Sequence, residues 1–381
     1  MKAFFGKLAA MAALALAVPA TASPAPVPDT VPIAMLVDLS SGQVLFARNA
    51  DRRFVPASIT KAMTVYTAFD LLARGKLQPE QSFTFSETAA EEWRRTGSTM
   101  FLEPGDETTV RNLLLGVTTV SANDGAIVLA EGAAGSVARW LELMNANARR
   151  LGMTQSHFGT PNGFPDGART FTTARDLVTL GRALTLEHAE LYQSYFGRRG
   201  LVTNGFAQSN HDPLTGRVAG ADGIKTGFTR QAGNGFLGSA ERDGRRLVLV
   251  VAGVAEQDDR DDAARALMEW GFATFTSRQL FGKGATVGEA QVQDGTSDTV
   301  KLVAASPIRF AMPRATDRPV KLSVRYEGPL RAPIAAGEAV AELQISVEGM
   351  EPSLVPLLAA EPVERAGFLG RIANALKGLL S

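Results

Sequence analysis

Ser58 and Lys61 stand three residues apart in Pro56-Ala57-Ser58-Ile59-Thr60-Lys61, at the start of a helical pattern from Ser58 to Arg74 that Gly75 ends. Residues three apart share a helix face, so the Lys61 amine can reach the Ser58 hydroxyl. A serine hydroxyl is a poor nucleophile until a nearby base takes its proton. A lysine serves as that base only when burial or other cations lower its pKa. The helix start also presents the positive end of the dipole, which favours a developing oxyanion. Alone, the pair reads equally well as an N-cap serine beside a solvated lysine. A second group is Ser121-Ala122-Asn123, where the hydroxyl could relay a proton to a leaving group. The Asn123 amide could hold both a substrate carbonyl and the Lys61 amine, although Ser and Asn are also common turn formers. A third is Lys225-Thr226-Gly227, entering a strand. A cation and a hydroxyl there would bind a carboxylate, and Gly227 would leave room for a substrate along the strand edge. The plainer alternative is an ordinary lysine at a strand start.

These groups need a frame. Ile33 to Asp38 reads as a strand, Ser40-Ser41-Gly42 as a turn and Val44 to Arg48 as the returning strand. Thr84 to Gly105 is polar and reads as irregular. Thr109 to Leu115 starts a helix, Thr118 to Gly125 breaks it, and Ala126 to Glu131 resumes it until Gly132. Ser136 to Leu151 is an amphipathic helix closed by Gly152, Ser156 to Phe171 is loop-like, and Thr173 to Leu186 is helical. From Gly220 the period becomes that of strands, with Asp243-Gly244 as a tight hairpin before the apolar run Arg246 to Val254. Asp261 to Phe275 reads as a helix. The expectation is α+β: one antiparallel sheet assembled from both ends of residues 23–278, with helices packed on it.

The 381 residues carry 39 basic and 39 acidic side chains, which gives no reason to expect a nucleic-acid partner. There is no cysteine, so thiolate and disulfide chemistry are absent. The histidines His157, His188 and His211 do not form a zinc-ligand pattern, and neither metal nor cofactor is expected. Lys2 and Lys7, the apolar stretch Leu8 to Val18 and Ala20-Thr21-Ala22 read as a secretory signal over residues 1–22. The apolar stretch is too short for a bilayer span. Cleavage removes two lysines and no acid, which takes the formal charge to about −2. Ser23 to Thr30 reads as a short extended linker. Export without cysteine fits a bacterial envelope protein.

Residues 280–361 alternate as short strands punctuated by Gly and Pro, among them Val300 to Val303, Val320 to Tyr326 and Val340 to Ile345. No nucleophile or base cluster occurs there, so a small supporting β-domain, a sandwich, is expected. In residues 362–381, Phe368, Ile372, Leu376 and Leu379 recur at helical spacing, with Arg365, Arg371 and Lys377 against Glu364. That reads as an amphipathic helix lying in a membrane interface, the alternative being a helix docked on its own β-domain.

The order S-x-x-K, S-x-N, K-T-G is the motif set of penicillin-interacting serine enzymes. With Pro56 to Thr64, Asp222 to Thr229, His157-Phe158 and Ala174 to Leu177, the chain resembles the low-molecular-mass penicillin-binding proteins, serine-type D-alanyl-D-alanine carboxypeptidases. The likeness covers most of residues 30–275, and the β-domain and terminal helix match that family's layout. The resemblance implies that Ser58 forms an acyl-enzyme and that Lys61 accepts its proton. It implies that Ser121 and Asn123 assist proton transfer and hold the substrate. Lys225 and Thr226 would bind the terminal carboxylate of D-Ala-D-Ala or of a β-lactam. Arg260 falls where the family carries an arginine for that carboxylate, although by residue type it reads as a surface arginine among Asp258, Asp259, Asp261 and Asp262. The backbone amides of Ser58 and Phe228 would form the oxyanion hole. The implied location is the periplasmic face of the inner membrane. The implied partners are peptidoglycan stem peptides, β-lactams and, through 362–381, the membrane surface.

Three competing readings share parts of this pattern. A class A β-lactamase needs a further Glu for deacylation, and Phe158 to Leu177 contains none. An endopeptidase of the same fold differs only in bond preference. A β-lactam sensor needs a transmembrane signalling segment, and a wall scaffold would not need all the polar motif residues.

Overall fold

The computed structural model describes residues 24–314 and 319–367. The expected signal segment and the expected terminal helix beyond residue 367 lie outside them. The chain begins with β1 (Ile33–Asp38) and β2 (Gln43–Arg48), then a 3-10 turn (Ala57–Thr60) that runs directly into α1 (Lys61–Ala73). β3 (Ser82–Thr84), α2 (Glu87–Trp93) and β4 (Glu107–Thr109) follow. Helices α3 (Val110–Thr119), α4 (Asn123–Ala134), α5 (Val137–Arg150), α6 (Ala174–Leu186) and α7 (Ala189–Tyr195) form the middle. A small hairpin, β5 (Gly200–Thr203) and β6 (Phe206–Ser209), precedes β7 (Ala221–Thr229), β8 (Gly233–Arg242), β9 (Arg245–Val254) and α8 (Gln257–Thr274).

The first sheet has the order β2-β1-β9-β8-β7, and every neighbouring pair in it is antiparallel. Both ends of the chain segment therefore meet in one sheet, as the pattern of apolar runs predicts. The sheet is covered on both faces, which is why β1 and β9 read as nearly unbroken apolar runs rather than alternating ones. Ile33, Met35, Val248 and Val250 face the helical block, while Ala34, Leu36, Leu247, Leu249 and Val251 face α8. Each of the larger side chains among them, Ile, Leu, Val and Met, contributes on the order of 1.5–3 kcal/mol by its burial. α1 lies at the centre of the helical block. Lys61 through Phe69 are all buried, as expected of a helix enclosed on every side.

Several local expectations are corrected. Residues 84–105 are not wholly irregular: α2 forms there, capped by the Ser86 hydroxyl accepting from Ala89 N–H at 3.1 Å. Gly132 does not stop α4, which runs to Ala134 and ends at Gly135 in the left-handed region. A Cβ at Gly132 would lie 2.1 Å from the Phe83 ring, so this glycine permits close packing rather than termination. α8 begins at Gln257, four residues before the expected start, which places Arg260 in its first turn. The segment before β1 is tied down, because Arg48 donates to the carbonyls of Val27, Pro28 and Val31.

β10 (Phe275–Phe281) continues from α8 without a linker. β11 (Thr286–Gln293), β12 (Thr299–Ala304), β13 (Ile308–Pro313), β14 (Val320–Arg325), β15 (Leu330–Arg331), β16 (Ala339–Val347) and β17 (Ser353–Ala359) complete a second, all-β unit. Its sheets are β14-β16-β17-β12-β11-β15 and β10-β13, around a core that includes Leu302, Leu343, Ile345 and Leu357. Residues 362–367 are not helical. Val363 pairs with Ile334 and Arg365 with Gly295, and Val363 and Ala366 are buried. They belong to the β unit. The two units touch through the Gln43 side-chain oxygen, which accepts from Ala311 N–H, and through the Arg175–Glu351 ion pair at 3.3 Å.

Candidate active site

The 3-10 turn sets Ser58 against the edge of β7. β7 is the last strand of its sheet, so one backbone edge faces the turn. A Cβ at Gly227 would stand 2.5 Å from Pro56 O and 3.0 Å from Ile59 N. Gly227 therefore lets the strand approach the turn that carries Ser58. This is a closer constraint than the room for substrate expected from sequence. Gly163 does the same from the other side, where a Cβ would stand 1.9 Å from Ala57 O.

Lys61 is fully buried one helical turn after Ser58. Its Nζ lies 2.9 Å from Ser58 Oγ, 2.7 Å from Asn123 Oδ1 and 2.7 Å from Asn162 O. The two oxygens at 2.7 Å only accept hydrogen bonds, whereas a hydroxyl both donates and accepts. A neutral amine has two N–H groups and one lone pair. Its N–H groups match Asn123 and Asn162, and the lone pair is left facing the Ser58 hydroxyl. Burial, and then the Lys225 cation, hold the Lys61 pKa well below the usual lysine range, with Asp124 acting in the opposite sense. Asn162 falls in the segment Ser156 to Phe171, which reads as loop-like from sequence. It acts here through its backbone carbonyl, a contribution its side-chain type does not announce.

Asn123 is the first residue of α4, and Ser121 lies in the break between α3 and α4 with φ +61°. For a serine that left-handed conformation is uncommon, and backbone strain of this kind concentrates at functional sites. Ser58, Ser121, Asn123, Thr226, Gly227, Phe228 and Arg260 all line one cleft of 1120 Å³. Lys225 is buried just behind this wall, and its Nζ donates to Thr226 O at 3.0 Å. Burial, followed by the Arg260 guanidinium, pushes the Lys225 pKa down to about 7. Arg260 is buried rather than a surface arginine. It donates to Gly235 O at 3.1 Å and pairs with Asp261 at 2.5 Å. His211 also lines the cleft, and burial, Lys225 and Arg260 all lower its pKa. No motif pointed to His211. Phe228 is 60% exposed at the cleft wall. Among the described residues no group of His, Asp or Glu could hold a metal ion.

Residues 22–256 match the family profile described as D-alanyl-D-alanine carboxypeptidase, and residues 275–365 match the C-terminal domain of penicillin-binding protein 5. The chain is 32% identical over 359 residues to the D-alanyl-D-alanine carboxypeptidase DacA of Haemophilus influenzae, covering 91% of this chain and 90% of that protein. Penicillin-binding protein 5 from Haemophilus influenzae has a similar solved structure, with a TM-score of 0.76 at 30% identity over 88% of this chain and 98% of that one. Penicillin-binding protein D2 from Listeria monocytogenes, solved in its ampicillin-bound form, matches with a TM-score of 0.56 at 28% identity, over 64% of this chain and 97% of that one.

Proposed function

Because the chain belongs to the D-alanyl-D-alanine carboxypeptidase family, we propose that it removes the terminal D-Ala from peptidoglycan pentapeptide stems through a Ser58 acyl-enzyme. The observation that carries this reading is the Lys61 amine, 2.9 Å from Ser58 Oγ with its remaining partners both acceptors. Ser58 Oγ attacks the carbonyl of the penultimate D-Ala while its proton passes to Lys61 Nζ. The carbonyl oxygen takes the negative charge and is held by the Ser58 and Phe228 amides. The C–N bond then breaks. Lys61 returns the proton through the Ser121 hydroxyl to the departing amine, and free D-Ala leaves. Water hydrolyses the ester and regenerates Ser58. Thr226, Lys225 and Arg260 hold the terminal carboxylate, a role suited to two cations set against one wall. Asn123 holds the acyl carbonyl side of the substrate as well as Lys61.

A β-lactam presents an amide of the same shape with a tethered leaving group, so it acylates Ser58 and blocks the site. That fits the ampicillin-bound form of the Listeria monocytogenes relative. The reading extends to location: residues 1–22 direct export, and the segment after residue 367 anchors the mature enzyme to the outer surface of the cytoplasmic membrane. The test is labelling by a fluorescent penicillin. Wild-type protein takes a covalent label and Ser58→Ala takes none. Label retained on Ser58→Ala would refute the assignment of the nucleophile.

A further inference from the structure

Asn123 is gripped from one short segment. Its backbone N–H donates to Ser98 O at 2.7 Å, and its side-chain Nδ2 donates to Thr96 O at 2.9 Å. Its Oδ1 is thereby aimed at Lys61 Nζ, 2.7 Å away. An unheld amide could rotate about its terminal torsion, which is broad for Asn. The neighbouring Asp124 grips the same segment further along, with its carboxylate accepting from Met100 N–H and Leu102 N–H at 3.0 and 3.1 Å. Gly97 sits between the two carbonyls that hold Asn123. It has φ +67°, and a Cβ there would stand 2.7 Å from Asn123 Nδ2. Gly97 and Ser98 also form part of the cleft wall.

We propose that Thr96-Gly97-Ser98 is a positioning clamp for Asn123, and through it for the Lys61 amine, with Gly97 the residue whose missing side chain allows the clamp to close. The proposal rests on the reading of Lys61 as proton acceptor. Any side chain at position 97 drives the Asn123 amide off its line to Lys61. The carboxylate site at Thr226, Lys225 and Arg260 is left in place, so the larger effect falls on the chemical step and a smaller one on binding, through Asn123 and the cleft wall.

The experiment compares Gly97→Ala with Gly105→Ala in the full-length protein. Gly105 has φ +86° and nothing within 4 Å of its added Cβ, so it carries the backbone cost of the substitution without a contact. Misplacement of a catalytic group by about an ångström costs on the order of a hundredfold. Gly97→Ala is expected to lower kcat for D-Ala release, and the rate of Ser58 acylation by fluorescent penicillin, by tens of fold to about a hundredfold, with KM within about threefold. Gly105→Ala is expected to keep wild-type values for both. Equal rates in the two variants would overturn the clamp while leaving the proposed function intact. Failure of the wild-type protein to acylate would instead strike the function itself. Should Gly97→Ala fail to fold, hydrogen exchange of the Asn123 backbone amide in wild-type protein decides. Protection equal to the core of α4 supports the clamp, and rapid exchange overturns it.

Discussion

The two buried lysines predict the shape of the pH profile. On the proposed mechanism Lys61 must be neutral to accept the Ser58 proton, so activity rises with pH as Lys61 loses its own proton. Its pKa lies well below the ordinary 10.5 because of burial and then the nearby Lys225 charge. Lys225 must be charged to attract a carboxylate, and its pKa in the free protein is about 7. The profile of kcat/KM reports groups of the free enzyme. Above pH 7 the charged fraction of Lys225 falls about tenfold per unit, so kcat/KM falls about a hundredfold by pH 9. The assay is D-Ala release from a diacetyl-Lys-D-Ala-D-Ala peptide across pH 5 to 10. Lys225→Arg keeps a cation at every pH in that range. Its overall rate can drop, because a guanidinium is a different shape, but its alkaline limb must disappear while the acid limb stays. An alkaline limb at 7 that survives in Lys225→Arg would refute the assignment, as would a flat wild-type profile from 7 to 9. Stability gives a check of independent origin. The folded pKa of Lys225 is depressed from 10.5 to about 7, so the cost of burying it charged is full below pH 7 and is relieved as pH rises toward 10.5. Thermal stability attributable to this group therefore increases over that window.

Two further perturbations separate stability and location from chemistry. Asp38, fully buried, pairs with Arg245 at 2.6 Å, at the end of the sheet away from Lys225. Asp38→Ala should cost roughly 3–5 kcal/mol in denaturant unfolding, because it strands a buried guanidinium, while kcat/KM per folded molecule stays unchanged. For the anchor, truncation must spare the β unit, since Val363 and Ala366 are buried in it. Deleting residues 368–381 should release mature protein from membranes with its Tm intact, and a truncated form that still pellets with membranes would refute the anchor.

The site was legible where function depends on side-chain type. Ser58, Lys61, Ser121, Asn123 and Thr226 carry hydroxyls, an amine and an amide whose types and spacing marked them, and the fold brings them to one cleft region. The sheet assembled from both ends was legible through β1 and β9, which are covered on both faces and read as apolar runs. What escaped sequence reasoning acts through backbone or through distance. Asn162 contributes a carbonyl, which any residue carries. Gly132 and Gly227 answer to Phe83 and to the Ser58 turn, partners remote in sequence. Arg260 looked solvated among acidic neighbours, yet the earlier start of α8 turns it inward toward Gly235. His211 follows the small β5–β6 hairpin, and only the fold brings it to the cleft.

The most direct measurement is D-Ala release from the diacetyl-Lys-D-Ala-D-Ala peptide by purified mature protein, with and without penicillin. The expected result is release that penicillin abolishes as Ser58 becomes acylated. No release from a protein whose Ser58 still takes penicillin would contradict the carboxypeptidase activity, and would mark the same scaffold as an endopeptidase or a sensor.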